Sequence, residues 1–151
     1  MVTELLALLI TVESGIVAGV FFAVAVSVIP ALATMPPGRY IEAHRALGEG
    51  YHPVMPIIVN SATLAAAALI FLAPSTATRW IFAVVTVLLL GVQGVSHLCN
   101  VPINRRAKAV DPDNVPDGWD DPRTLWRNWH LLRTALAFLL LVVSTVALIS
   151  L

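Results

Sequence analysis

The sequence predicts an all-α integral membrane protein, a four-helix bundle with a short amphipathic helix between spans one and two. Three observations carry this. Of 151 residues, 58% are hydrophobic and only 12% charged, with a mean hydropathy of +0.86. Soluble domains average roughly 25% charged residues, so this chain has too few charges to cover a water-facing surface. Four apolar segments each approach the ~20 residues that a helix needs to cross the hydrocarbon core, where continuous apolar runs have no alternative to the helix. Almost every Lys and Arg lies between those segments rather than in them. The chain reads as one membrane domain, 1–151, with spans at about 5–29, 53–72, 80–99 and 129–151.

The first segment, Leu5 to Ile29, ends at Pro30. No Lys or Arg precedes it and no small-residue cleavage site follows, so it reads as a retained span rather than a signal peptide. The connection from Ala31 to His52 opens with Met35-Pro36-Pro37-Gly38. It continues as an amphipathic helix over Tyr40 to Leu47, closed by Gly48 and Gly50. The second span, Pro53 to Leu72, stops at Ala73-Pro74-Ser75, and the short connection to Arg79 predicts a tight antiparallel hairpin with the third, Trp80 to Cys99. Val101 to Arg123 is rich in Asp, Pro and Gly and reads as a loop. Asp121-Pro122 then restarts a helix, with Asp as N-cap and Pro in its first turn. That helix carries Trp126 and Trp129 to the membrane interface, which such rings favour, and crosses from Trp129 to Leu151.

An even number of spans puts both chain ends on one side. Arg39, Arg45, Arg105, Arg106, Lys108, Arg123 and Arg127 lie in or beside the two long connections, and only Arg79 lies in the opposite hairpin. The positive-inside rule predicts a cell-membrane protein with those connections in the cytoplasm and the termini outside. The formal net charge is zero, which argues against a nucleic-acid partner. Cys99 stands alone, so no internal disulfide is expected. Gly15 and Gly19 form a GxxxG pattern, and Ala62 and Ala65 to Ala68 thin the second span. Such residues allow close helix packing inside one bundle, and the same pattern is compatible with a homo-oligomer.

Polar groups are expensive in lipid, so their clustering nominates the working site. The four histidines, His44, His52, His97 and His130, all fall at the end of the bundle bearing the long connections. Gln93, His97, Asn100 and Asn104, at i, i+4, i+7 and i+11, form one stripe on the third span. On the fourth helix Trp126, His130 and Arg133 share a face, as His52, Pro56, Asn60 and Thr63 do on the second. His44, on a surface helix, is expected to be solvated. Glu13 is the only carboxylate within a span, nearer its middle or outer half, and leaves two readings open, contact with the histidine cluster or pairing with a polar group of another helix. Ser14, Ser61 and Ser96 have no triad partners in the pattern. Imidazole suits copper, iron and zinc and also ligates haem, so His52, His97 and His130 are candidate ligands of a metal or haem redox site. No HxxxH, HxxE or CxxC spacing supports that alternative.

Three segments carry a family resemblance: Ser14-Gly15-Ile16-Val17-Ala18-Gly19 with Phe21-Phe22 and Pro30; Asn100-Val101-Pro102-Ile103-Asn104; and Trp126-Arg127-Asn128-Trp129-His130-Leu131-Leu132-Arg133-Thr134. Together they resemble the small membrane proteins of the anthrone oxygenase family, also called domain of unknown function 1772. The resemblance implies an oxygenase that converts an aromatic anthrone to an anthraquinone with molecular oxygen. It nominates Asn100, Asn104, Trp129, His130 and Arg133. An anthrone methylene is acidic, so the expected chemistry has His97 or His130 as base and Arg133, Asn100 or Asn104 stabilising the enolate oxygen. Trp126 and Trp129 would wall a flat substrate, with Asn60 and Gln93 also on the binding faces. No cofactor is strictly required by that chemistry. The competing expectations are a haem or Cu/Fe redox protein, and a non-enzymatic membrane subunit or carrier.

Overall fold

The computed structural model describes residues 1–151. It is all-α and without strands, with helices α1 (Val2–Ala33), α2 (Pro37–Glu49), α3 (Val54–Leu72), α4 (Thr76–Lys108) and α5 (Arg123–Ile149). Helices α1, α3, α4 and α5 are each long and apolar enough to cross a membrane. They alternate in direction. Glu13 of α1 meets Ser61 of α3, Thr63 of α3 meets Gln93 of α4, and Ser96 of α4 meets Arg133 of α5. Thr11 and Phe21 of α1 meet Ser144 and His130 of α5, which closes the ring. The core is built from small and branched side chains, among them Ala18, Ala62, Ala66, Val85, Leu89 and Ala137. Small residues let backbones approach where lipid provides no hydrophobic drive between helices. Gly15 belongs to this packing, facing Leu141 of α5, whereas a side chain at Gly19 would meet open space.

Two helices run further than their prolines suggest. α1 continues through Pro30 to Ala33, and α4 continues past Cys99 and through Pro102 to Lys108. The expectation of a loop from Val101 onwards is therefore corrected, since the irregular connection begins only after Lys108. The physical reason is the same in both helices. Proline lacks an N–H and its ring collides with the carbonyl one turn back. A single wide π turn precedes each proline, Val24–Val28 before Pro30 and Ser96–Asn100 before Pro102. The N–H of Ile29 reaches back five residues to Val24 O, and that of Val101 to Ser96 O. The extra residue in the turn accommodates the ring without ending the helix.

The amphipathic helix is present and longer than the pattern suggested, from Pro37 to Glu49. Tyr40, Ile41 and His44 form its buried face. Its outward Arg39 and Glu42 pair at 2.9 Å. Arginines fasten this end of the molecule. Arg45 Nη2 donates to the carbonyls of Lys108 (2.6 Å) and Val110 (2.7 Å), at the C-terminus of α4. Arg123 Nη1 donates to the carbonyls of Met35 (2.7 Å) and Leu32 (3.3 Å), at the C-terminus of α1. Gly38 lies so close to the Pro112 carbonyl that a Cβ there would collide with it. Asp121 receives the Arg123 N–H at 3.0 Å, while the N-cap position itself falls on Pro122.

Candidate functional site: an apolar cleft with a polar end

A cleft of about 330 Å³ opens among the C-terminal half of α1, helix α2, the start of α3, the second half of α4 and the start of α5. Sites for small organic ligands run from roughly 300 to 1,000 Å³ and are mostly apolar with a few placed polar groups. Phe21, Val24, Val28, Met55, Val59 and Val92 supply apolar wall. The polar groups are His44, Tyr51, His52, Asn60, Gln93, Ser96, His97, Asn104 and Arg133, and no carboxylate lines the space.

A hydrogen-bonded chain organises one side. Trp126 Nε1 donates to Asn104 Oδ1 at 2.7 Å, and the same oxygen meets His44 Nε2 at 3.0 Å. The Trp126 indole stacks on His130, with centroids 5.2 Å apart and an interplanar angle of 9°. His130 is 0% exposed. Its Nε2 donates to the Phe21 carbonyl at 2.9 Å. Its Nδ1 therefore carries the lone pair, which accepts from Arg133 Nε at 3.0 Å and Nη2 at 2.8 Å. The Arg133 guanidinium also lies 4.4 Å from the centre of the Phe21 ring, within cation–π range. Its third nitrogen, Nη1, reaches Ser96 Oγ at 3.4 Å. No carboxylate neutralises Arg133, since the ion pairs of the molecule lie elsewhere, at Glu4, Glu42 and Asp121.

The cleft gathers Asn104, Trp126, Arg133, His97, Asn60, Gln93 and His52 from the residues that the sequence nominated. His52, Asn60 and His97 are exposed at its rim, while Gln93 Nε2 donates to Thr63 Oγ1 at 2.8 Å and so ties α4 to α3. His130, Asn100 and Trp129 are not on the wall. His130 is sealed behind Trp126 and Arg133. Asn100 is buried, its Nδ2 donating to Trp126 O at 3.2 Å and its Oδ1 left without a partner. Trp129 packs against Val24, Ile103 and Trp126. Of the two readings open for Glu13, the structure shows the second: Ser61 Oγ of α3 donates to it at 2.5 Å, and its other oxygen is buried without a partner. No three His, Cys, Asp or Glu side chains are grouped to hold a metal ion, so His52, His97 and His130 do not converge.

His44 is the residue that sequence reasoning undervalued. Expected to be solvated, it is only 6% exposed and lies on the cleft wall. Its ring sits edge-on to Trp126 at 5.3 Å and tilted against Tyr40 at 5.3 Å. Burial holds its pKa below the ordinary histidine value, opposed by the bond to Asn104 and reinforced by Lys108. Tyr40, with a buried hydroxyl that has no partner, is pushed up to about 12, chiefly by burial and then by Asp121. The available signal for His44 was its spacing, since Tyr40, His44 and Leu47 share one face at i, i+4 and i+7.

Four helices long and apolar enough to cross a membrane, around an apolar cleft with an unneutralised guanidinium and histidines on its wall, define the architecture of a small multi-pass membrane protein. A family model described as Anthrone oxygenase matches residues 44–143, from His44 through α3 and α4 into α5. The chain belongs to the anthrone oxygenase family. No curated protein and no solved structure matches it.

Proposed function

We propose that this chain is a membrane-embedded oxygenase that oxidises a small, flat, anthrone-type aromatic with molecular oxygen, giving the quinone and water. The observation that carries this reading is Arg133, a guanidinium on the wall of a largely apolar cleft with no carboxylate to neutralise it. A cation held in place by His130, Ser96 and Phe21 suits an oxygen atom on which negative charge develops. Removing a proton from an anthrone methylene creates such an oxygen. A histidine on the cleft wall takes the proton, and the electron-rich enolate reacts with oxygen. A C–O bond forms, the O–O bond then breaks, and the second methylene hydrogen leaves in water. Asn104 and Trp126 hold the wall beside the substrate, and Asn60 and Gln93 contact its far side. We further propose that the protein lies in the cell membrane with the two long connections cytoplasmic, as the distribution of Lys and Arg implies.

Purified protein in detergent micelles, supplied with anthrone under air, tests the reading through the appearance of quinone absorbance. Arg133→Gln should lower turnover by about 100-fold or more, the usual loss when an oxyanion-stabilising donor is removed. Arg133→Lys should retain part of the activity. Unchanged turnover in a folded Arg133→Gln protein would sink the proposal.

A further inference from the structure

The tautomer of His44 follows from its neighbours. An indole N–H can only donate, so the Asn104 atom that meets Trp126 Nε1 at 2.7 Å is the carbonyl oxygen. That oxygen also meets His44 Nε2 at 3.0 Å and can only accept. His44 Nε2 must therefore carry the hydrogen, and Nδ1 the lone pair. Nδ1 makes no hydrogen bond to the protein and is not among the sealed, unpartnered atoms, on a side chain that lines the cleft. The other histidines differ. His130 has both ring nitrogens engaged by Phe21 and Arg133. His52 and His97 stand at the exposed rim with no side-chain hydrogen bond to fix a tautomer.

We infer that His44 is the base of the reaction, its Nδ1 lone pair aimed at the substrate by the Trp126–Asn104 pair. This rests on the oxygenase reading above. In the step assigned to it, a methylene C–H bond breaks and the proton moves to Nδ1. The electron pair passes into the ring system as an enolate whose oxygen Arg133 holds. Molecular oxygen takes up that electron pair in a new C–O bond, the O–O bond breaks as the second methylene hydrogen leaves with the departing hydroxide, and the proton on the imidazole completes the water. The charged and titratable groups around His44 are Lys108 on α4, Arg133 on α5, Tyr40 on its own helix, and Tyr51, His52 and His97 across the cleft. None is a carboxylate, so nothing nearby favours the imidazolium by charge, and burial adds to the preference for the neutral ring.

Two measurements on the full protein in micelles test the assignment. Deuterium exchange at the anthrone methylene, followed by NMR in D2O without oxygen, reads the base alone. Quinone formation under air reads the whole reaction. His44→Gln should slow exchange by about 100-fold or more, in the range of general-base contributions. Asn104→Asp keeps an acceptor for Trp126 and places a carboxylate on the His44 N–H. It should move the acid limb of the exchange rate up by about one pH unit or more, a shift that a merely structural role would not produce. Exchange at the wild-type rate in His44→Gln, or an unmoved limb in Asn104→Asp, would overturn the assignment. Wild-type exchange that depends on His44 but gives no quinone under air would uphold His44 as base and remove the oxygenase reading.

Discussion

At the scale of single residues, two buried titratable groups of α2 set how the fold responds to pH. His44 has its pKa held below the ordinary 6.5 in the folded protein, so the neutral ring is the form the fold prefers. The unfolded chain then binds more protons between 6.5 and the lower folded value, and stability falls as pH drops through that window. Tyr40 works in the opposite sense. With its pKa raised from 10.0 to about 12, its contribution is complete below 10 and is lost as pH rises towards 12. Thermal unfolding in detergent between about pH 5 and 11 should therefore show a plateau with two falling limbs, and His44→Gln should make the acid one shallower, the buried His130 leaving the remainder. An acid limb unchanged in that variant would contradict the linkage. The same residue marks where the sequence stopped being readable. Arg133, Asn104 and Trp126 were visible as members of polar stripes in apolar helices, where their cost in lipid gives them away. His44 sits between Arg39, Glu42, Arg45 and Glu49, on a helix whose charges read as solvated. Its burial depends on a surface contributed from 60 residues further along the chain, at Asn104.

At the scale of elements, that surface exists because α4 does not end at Cys99. Pro102 reads as a stop in a sequence, yet the π turn at Ser96–Asn100 absorbs it and carries the helix on to Asn104 and Lys108. The apolar spans were legible from length and hydropathy alone. The helical extensions were not, because the turn that permits each proline leaves no composition signal. A wide turn holds one residue more than an α-turn, and that residue keeps the Pro102 ring clear of the carbonyl one turn back. Deleting Leu98, which is 78% exposed, should therefore close the turn, drive the Pro102 ring into that carbonyl, displace Asn104 from Trp126 and His44 and abolish turnover, although no residue of the cleft wall is lost. Leu98→Ala should leave turnover near wild type. Parallel assays of quinone formation check the pair, and an active deletion variant would show that the site does not depend on the π turn before Pro102.

At the scale of the molecule, α1 and α4 end, and α3 and α5 begin, on the side where the cleft lies. The hairpin at Ala73–Ser75 lies on the other side, with Met1 and Leu151. In a Cys99→Ser background, single cysteines at Asp113 and Ser150 should react with a membrane-impermeant thiol reagent from opposite faces. The charge distribution predicts that only the Ser150 position reacts in intact cells. Reaction of both from one face would refute the topology. The arginine clasps described for the fold have a consequence in terms of macrodipoles. A helix carries about half a positive charge at its N-terminus and half a negative charge at its C-terminus. At the cleft end, the two negative poles, of α1 and α4, are each covered by a guanidinium, from Arg123 and Arg45. The positive pole of α3, at Val54, has no acidic residue in its first turn, whereas that of α5 is met by the Asp121 carboxylate, which accepts the Arg123 N–H and pairs with its guanidinium. With the α4 pole covered by Arg45 and the α3 pole left without an acid, the α3–α4 side of this end carries a positive bias. The Arg45 clasp that fastens α2 thus also tunes the field in which an anionic intermediate at Arg133 would form, and exchanging it for a neutral residue alters that field without touching the cleft wall.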